Sequence, residues 1–96
     1  MIYPSASSIT SSVTGECAER LPRHPEPVWR LSWRQSPLLT REEALAAMEL
    51  TELLRREPSG SGPAWTRACA LGAALGIDVE DARIVLRERR RERGES

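Results

Sequence analysis

The clearest helical period of apolar residues runs from residue 40 to residue 57. The segment opens with Thr-Arg-Glu-Glu, a capping-box pattern in which Thr40 is the N-cap and Glu43 bonds back to its backbone. The apolar residues that share one side of the helix are Ala46, Ala47, Leu50, Leu53 and Leu54. Pro58 prevents continuation, so we predict an amphipathic first helix over residues 40–57.

The second helical segment, residues 63–75, is apolar on almost every side. Pro63 stands at its first position and Gly76 follows its last, as helix starts and ends prefer. Arg67 is its only charged residue, so most of its surface must be covered. Gly72, which has no side chain, would let another helix approach closely. We predict a mostly buried helix.

The third helical segment, residues 78–93, changes character halfway along. Its N-cap is Asp78, and its apolar stripe consists of Val79, Ala82, Val85 and Leu86. Beyond Leu86 almost every residue is charged, so we expect the last two turns to project into solvent.

Two charged ridges, about 120° apart, follow from the 100° turn per residue of this third helix. The arginine ridge consists of Arg83, Arg87, Arg90 and Arg91, and the acidic ridge of Asp81, Glu88 and Glu92. We therefore expect two distinct charged surfaces on one helix.

The first part of the chain lacks such a period. Residues 1–27 are rich in Ser, Thr and Pro, a composition typical of flexible segments, and we predict a flexible leader. Residues 28–38 follow as an extended arm, in which Trp29, Leu31 and Trp33 lie on one side of the chain. Because no convincing second strand is available for pairing, the arm either covers the helices or docks on another protein.

These segments predict a mainly α protein with one small helical domain over residues 39–96. Three short helices bury little apolar surface against the entropy of ordering, so the domain needs extra burial. The arm or a second protein would supply it. Leu45 and Met48, which lie off the apolar side of the first helix, are where we expect the arm to pack.

Charge and composition narrow the classes of partner. The chain carries 14 basic and 14 acidic residues, so no long-range field steers it to DNA or to an anionic membrane. Cys17 and Cys69 belong to no metal-binding motif, and we expect two reduced thiols. No signal-peptide pattern and no apolar run of about 18 residues is present. We expect a soluble cytoplasmic protein.

The sequence contains no constellation of residues that points to catalysis. His24 is the only imidazole, and no predicted element holds a Ser or Cys beside it. The acidic pairs stand at helix starts, where carboxylates stabilise the helix dipole. We expect a protein that is not an enzyme, with no metal site, no cofactor and no small-molecule ligand.

Two hypotheses of function follow. In the first, the chain is a non-catalytic protein interaction or regulatory module, with Trp29, Leu31 and Trp33 as packing or docking residues and a charged third helix facing another protein or a second copy. The alternative is a DNA-binding regulator, because residues 68–87 resemble a helix-turn-helix pattern. Its phosphate contacts would come from Arg83, Arg87, Arg90 and Arg91. The acidic residues that open the third helix count against it.

Overall fold

The structure is a computed structural model that describes residues 1–56 and 62–94 of the 96-residue chain. These residues form five strands followed by three helices. The strands are β1 (Ile2–Pro4), β2 (Ser8–Ser11), β3 (Cys17–Arg20), β4 (Trp29–Leu31) and β5 (Arg34–Leu39). The helices are α1 (Arg41–Arg55), α2 (Pro63–Leu75) and α3 (Val79–Glu92).

The predicted mainly α class is wrong, because the chain before α1 folds into an antiparallel sheet. Strand order follows the sequence, β1-β2-β3-β4-β5, and each strand pairs with the next. The expected flexible leader, residues 1–27, supplies β1, β2 and β3. The expected arm, residues 28–38, supplies β4 and most of β5. The protein is a mixed α/β fold.

The short first strands explain why no alternation was visible in the sequence. Ile9 is the one fully buried apolar residue of β2, and Ala18 is its counterpart in β3. One inward residue per strand gives no period of two. These strands are held by pairing with their neighbours, which a pattern along a single segment cannot show.

The serines and glycine of the first residues form turns rather than a flexible tail. Ser5 donates its backbone N–H to Ser8 O at 2.7 Å and accepts from Ser8 N at 3.0 Å through Oγ. Ser11 Oγ accepts from Thr14 N at 3.3 Å, and Gly15 has a φ of 71°. Short side chains that bond the backbone, and a glycine in the left-handed region, close the β1–β2 and β2–β3 connections.

The core lies between the sheet and α1. Helix α1 packs against all five strands, and α2 and α3 pack against α1 and against each other. Trp29 and Leu31 from β4 are 2% and 1% exposed, and Trp33 after β4 is 7% exposed. Trp33 Nε1 donates to Thr51 Oγ1 of α1 at 3.0 Å, so its polar atom is satisfied inside the core. The three residues proposed for packing or docking are packing residues.

The helix starts agree with the sequence prediction. Thr40 Oγ1 accepts from Glu43 N at 3.1 Å, and Glu43 Oε1 accepts from Thr40 N at 2.9 Å, which confirms the capping box. Asp78 Oδ1 accepts from Asp81 N at 3.1 Å and caps α3. The end of the first helix predicted at residue 57 lies outside the described residues. Among the described helices, none has both the length and the apolar character of a bilayer span.

A tight corner joins α2 and α3. Gly76 has a φ of 70°, and Ile77 N donates to Gly72 O at 2.8 Å, the bond pattern of a Schellman cap. A Cβ on Gly72 would lie 2.5 Å from Val79 Cγ2 and 2.8 Å from Ile77 O. The start of α3 therefore packs directly on the backbone of α2, as the small residue predicted. The prediction that α2 is mostly buried is wrong, because its buried residues are Ala68, Leu71, Gly72 and Leu75 and most of the others are exposed.

Substitution of Trp29 tests its place in the core. Trp29→Ala removes a ring that is 2% exposed and should lower the free energy of unfolding by about 3–5 kcal/mol, because a cavity remains. Urea denaturation followed by circular dichroism measures it. Leu38→Ala, at a β5 side chain that is 40% exposed, should cost less than about 1 kcal/mol. Equal losses in the two variants would contradict the burial of Trp29.

Gly72→Ala tests the α2–α3 corner. The added methyl meets Val79 and a backbone oxygen, so the variant should lose about 1–3 kcal/mol although alanine favours helices. Ala70→Ser, an exposed position of α2, is the control and should change stability by about 0.5 kcal/mol or less. A Gly72→Ala protein as stable as the original in thermal melts would mean that the helices are farther apart.

Candidate functional site

The residues expected to dock a partner are almost entirely buried. Trp29, Leu31 and Trp33 lie between the sheet and α1 and are at most 7% exposed, so a partner could reach no more than the edge of a ring. Arg41 Cζ also lies 5.5 Å from the centroid of the Trp29 ring. These three residues therefore do not form a docking surface by themselves.

The arginine ridge is divided among several intramolecular contacts. Arg83 Nη2 donates to Glu80 Oε2 at 2.7 Å, and its Cζ lies 5.3 Å from the centroid of the Trp65 ring. Arg90 Nη1 donates to Arg55 O at 3.4 Å and is half-buried. Arg91 is exposed. Contact of this ridge with nucleic acid stays a prediction.

Two other arginines, Arg89 in α3 and Arg93 at its C-cap, hold a buried carboxylate. Sequence reasoning did not single them out. Glu16, before β3, has a side chain that is 1% exposed. Arg89 donates to it through Nε at 2.9 Å and Nη2 at 3.0 Å, Arg93 through Nη1 at 2.7 Å, and Ser32 through Oγ at 2.7 Å. We call these four residues the Glu16 cluster. It ties the end of α3 to two connections of the sheet.

The Glu16 cluster fixes the charge of its carboxylate. Burial by itself raises the pKa of Glu16, but hydrogen bonds from Arg89, Ser32 and Arg93 outweigh it and hold the pKa below its usual range. The hydrogen bond with Glu16 raises the pKa of Arg89 against the opposing effect of burial. Glu16 is therefore an anion at neutral pH, and the contact is charge-assisted throughout.

A faint signal for these arginines does exist in the sequence. Arg89 and Arg93 continue the spacing of Ala82 and Leu86, which are buried, so all four lie on one side of α3. Nothing in the residues around Glu16 marks it as their partner, because the contact spans 73 and 77 positions. The sequence therefore showed the charged end of α3 without showing that part of it faces the sheet.

An open groove runs between α3 and Trp33. Its volume is about 490 Å³, and its lining residues are Trp33, Ile84, Val85, Glu88, Arg89 and Glu92. Ile84 is 53% exposed and Val85 is 40% exposed. In residues 1–56 and 62–94 they are the only large hydrophobic side chains exposed on a helix. Val85 was predicted to belong to the buried stripe of α3, and that placement is wrong.

The two carboxylates of the groove belong to the predicted acidic ridge. Glu88 and Glu92 are exposed, and neither forms a salt bridge or hydrogen bond with any residue that the structure describes. Arg89, the one cation of the lining, gives Nε and Nη2 to Glu16. The groove thus combines an apolar wall with an acidic rim.

Other clefts and polar residues of the molecule are weaker candidates for a functional site than the groove. A cleft of about 600 Å³ lies at the start of α1 beside Trp29, but its Arg41 donates to Ser5 O at 2.7 Å. His24 Nδ1 accepts from Glu26 N at 3.2 Å in the loop after β3. Among the residues described, no three side chains of the kinds that bind metals come together.

No family model, curated protein or solved structure matches this chain.

Glu16→Gln tests the cluster through pH. At neutral pH the variant should be less stable by about 3 kcal/mol, because two guanidinium groups lose a charged acceptor. The lowered pKa of Glu16 stabilises the fold above the ordinary value of 4.5, and this contribution disappears as pH falls through the lower folded value. The difference in unfolding free energy between the two proteins should therefore shrink below about pH 4.5.

Glu19→Gln is the matched control, since Glu19 is an exposed carboxylate of β3. It should shift stability by about 0.5 kcal/mol or less at every pH. Urea denaturation between about pH 2 and pH 7 measures all three proteins. A Glu16→Gln protein whose stability stays parallel to the original across the acid range would rule out the charged cluster.

Proposed function

We propose that this chain is a non-catalytic protein interaction module that binds its partner in the groove between α3 and Trp33. The observation that carries the proposal is the exposure of Ile84 and Val85 beside that groove. Exposed apolar patches with a polar rim are typical of protein contacts. Ile84 and Val85 are already about half buried, so covering the rest of each side chain in a partner would contribute about 1 kcal/mol.

Helix α3 is held at both ends by contacts within the protein, which favours a binding surface that is already formed before the partner arrives. Its start is fixed by Asp78 and by close packing on Gly72, and its end is fixed by Glu16. A helix held at both ends needs little ordering when a partner arrives, which lowers the entropic cost of association. The module therefore acts as a rigid platform, and the binding energy comes from the groove.

The DNA-binding alternative has no contact of its own in its favour. Arg83 is engaged with Glu80 and Trp65, and the first turn of α3 presents Glu80 and Asp81, both exposed. A polyanion would meet these carboxylates first.

Within the proposal the module works in the cytoplasm, which its two free thiols, Cys17 and Cys69, support.

Selection from a phage-displayed library of linear peptides tests the proposed function. Peptides enriched on the protein should bind Ile84→Ser/Val85→Ser at least about ten-fold more weakly, because the apolar wall is lost. Isothermal titration calorimetry measures the affinities. The double variant should keep its helical circular dichroism, since both side chains are exposed.

Tyr3→Ser is the matched control, because Tyr3 is 53% exposed on β1. The selected peptides should bind it as they bind the original protein. Peptides that bind Ile84→Ser/Val85→Ser undiminished would contradict the proposal, and so would a selection that enriches nothing.

A further inference from the structure

We infer that the occupant of the groove is a basic helical segment of a partner protein, with two Arg or Lys residues four positions apart and an apolar residue on the same side of the helix. The inference rests on the proposed function and adds the chemistry of the partner. It is carried by two exposed carboxylates at a fixed spacing beside an apolar wall, neither of which forms a salt bridge with a residue that the structure describes.

The spacing of the carboxylates sets the spacing of the cations. Glu88 and Glu92 are four positions apart, so they lie on one side of α3, about 6 Å apart along its axis. Like charges at this spacing destabilise a helix by a few tenths of a kcal/mol. A partner helix that places cations at the same spacing relieves this repulsion and pairs both carboxylates.

The charges around the groove leave it acidic. Its lining carries two carboxylates, Glu88 and Glu92, and one guanidinium group, Arg89, which gives a net charge of −1. Arg89 donates to Glu16, which lies outside the lining. The two carboxylates at the rim are therefore what an approaching partner meets.

Most of the arginine ridge lies away from this rim. Arg83, Arg87 and Arg90 line a different small cavity on the α1 side of the helix, with Leu54 and Leu86. Arg91 is exposed and does not line the groove. The net negative charge of the groove therefore comes from the residues that line it.

The same charges exclude other occupants. Nucleic acid, phospholipid surfaces and acidic peptides would be repelled by Glu88 and Glu92. A second copy fits poorly, because a two-fold contact sets the same patch against itself and would bring four rim carboxylates together. The apolar share of the partner is required by Ile84 and Val85, which face the same groove.

Three matched sets of 14-residue, end-capped, alanine-rich peptides test the inference. Each set carries a varied apolar residue at position 12, on the same side of the helix as positions 5 and 9, which hold Arg, Gln or Glu. The Arg set should bind about ten-fold or more tighter than the Gln set in fluorescence anisotropy at about 50 mM salt, and the Glu set should bind least. At about 300 mM salt the advantage of the Arg set should shrink.

Glu88→Gln/Glu92→Gln should remove the advantage of the Arg set while leaving the binding of the Gln set unchanged. The matched control is Glu19→Gln, on the exposed face of β3, which should preserve the advantage. An Arg set that keeps its advantage on Glu88→Gln/Glu92→Gln would overturn the assignment of the two carboxylates.

The remaining outcomes separate the inference from the proposed function. Equal affinities of the Arg and Gln sets, with both lost in Ile84→Ser/Val85→Ser, would overturn the basic partner and leave the groove as a protein site. Arg peptides that bind Ile84→Ser/Val85→Ser undiminished would overturn both. If no set binds, or if sedimentation shows a dimer that needs Ile84 and Val85, the basic helix is not the occupant.

Discussion

A buried carboxylate has to be neutralised, and in this chain that requirement sets the position of the last helix. Glu16 is almost fully enclosed at a connection of the sheet, and its carboxylate oxygens accept hydrogen bonds from Ser32 and from two arginines at the end of α3, Arg89 and the C-cap Arg93. An unpaired charge at that depth would cost several kcal/mol. Neutralising Glu16 therefore favours the rotation of α3 that turns Arg89 and Arg93 inward.

That rotation decides which residues face solvent. Arg89 and Arg93 share one side of α3 with Ala82 and Leu86, so Ile84 and Val85 are turned away from the core. A helix that buried its most apolar side without regard to Glu16 would have covered Val85. The groove beside Trp33 thus follows from the rotation of α3 that neutralises Glu16. The same rotation places the acidic rim on the side of the helix that faces away from Glu16.

The sequence predicted the features that neighbouring residues determine, such as helix starts. It missed the features that depend on pairing between distant segments, such as the sheet. The helix starts at Thr40 and Asp78 were readable because a cap is settled within four residues. The sheet was not, since β2 and β3 each bury a single apolar residue and their turns are built from serines that also suit flexible segments. The acidic ridge could be read from the sequence. The exposure of Ile84 and Val85 beside it could not, because it depends on the contact of α3 with Glu16, which lies far away along the chain.

The order in which the parts are made gives the Glu16 cluster another consequence. The five strands follow one another in the sequence, so each hairpin is complete as soon as it has been synthesised. Glu16 is made early, while its guanidinium partners stand 73 and 77 positions later. Until they arrive, the carboxylate must stay hydrated, and the sheet cannot close around it. The nascent chain therefore completes its fold only when its last helix emerges.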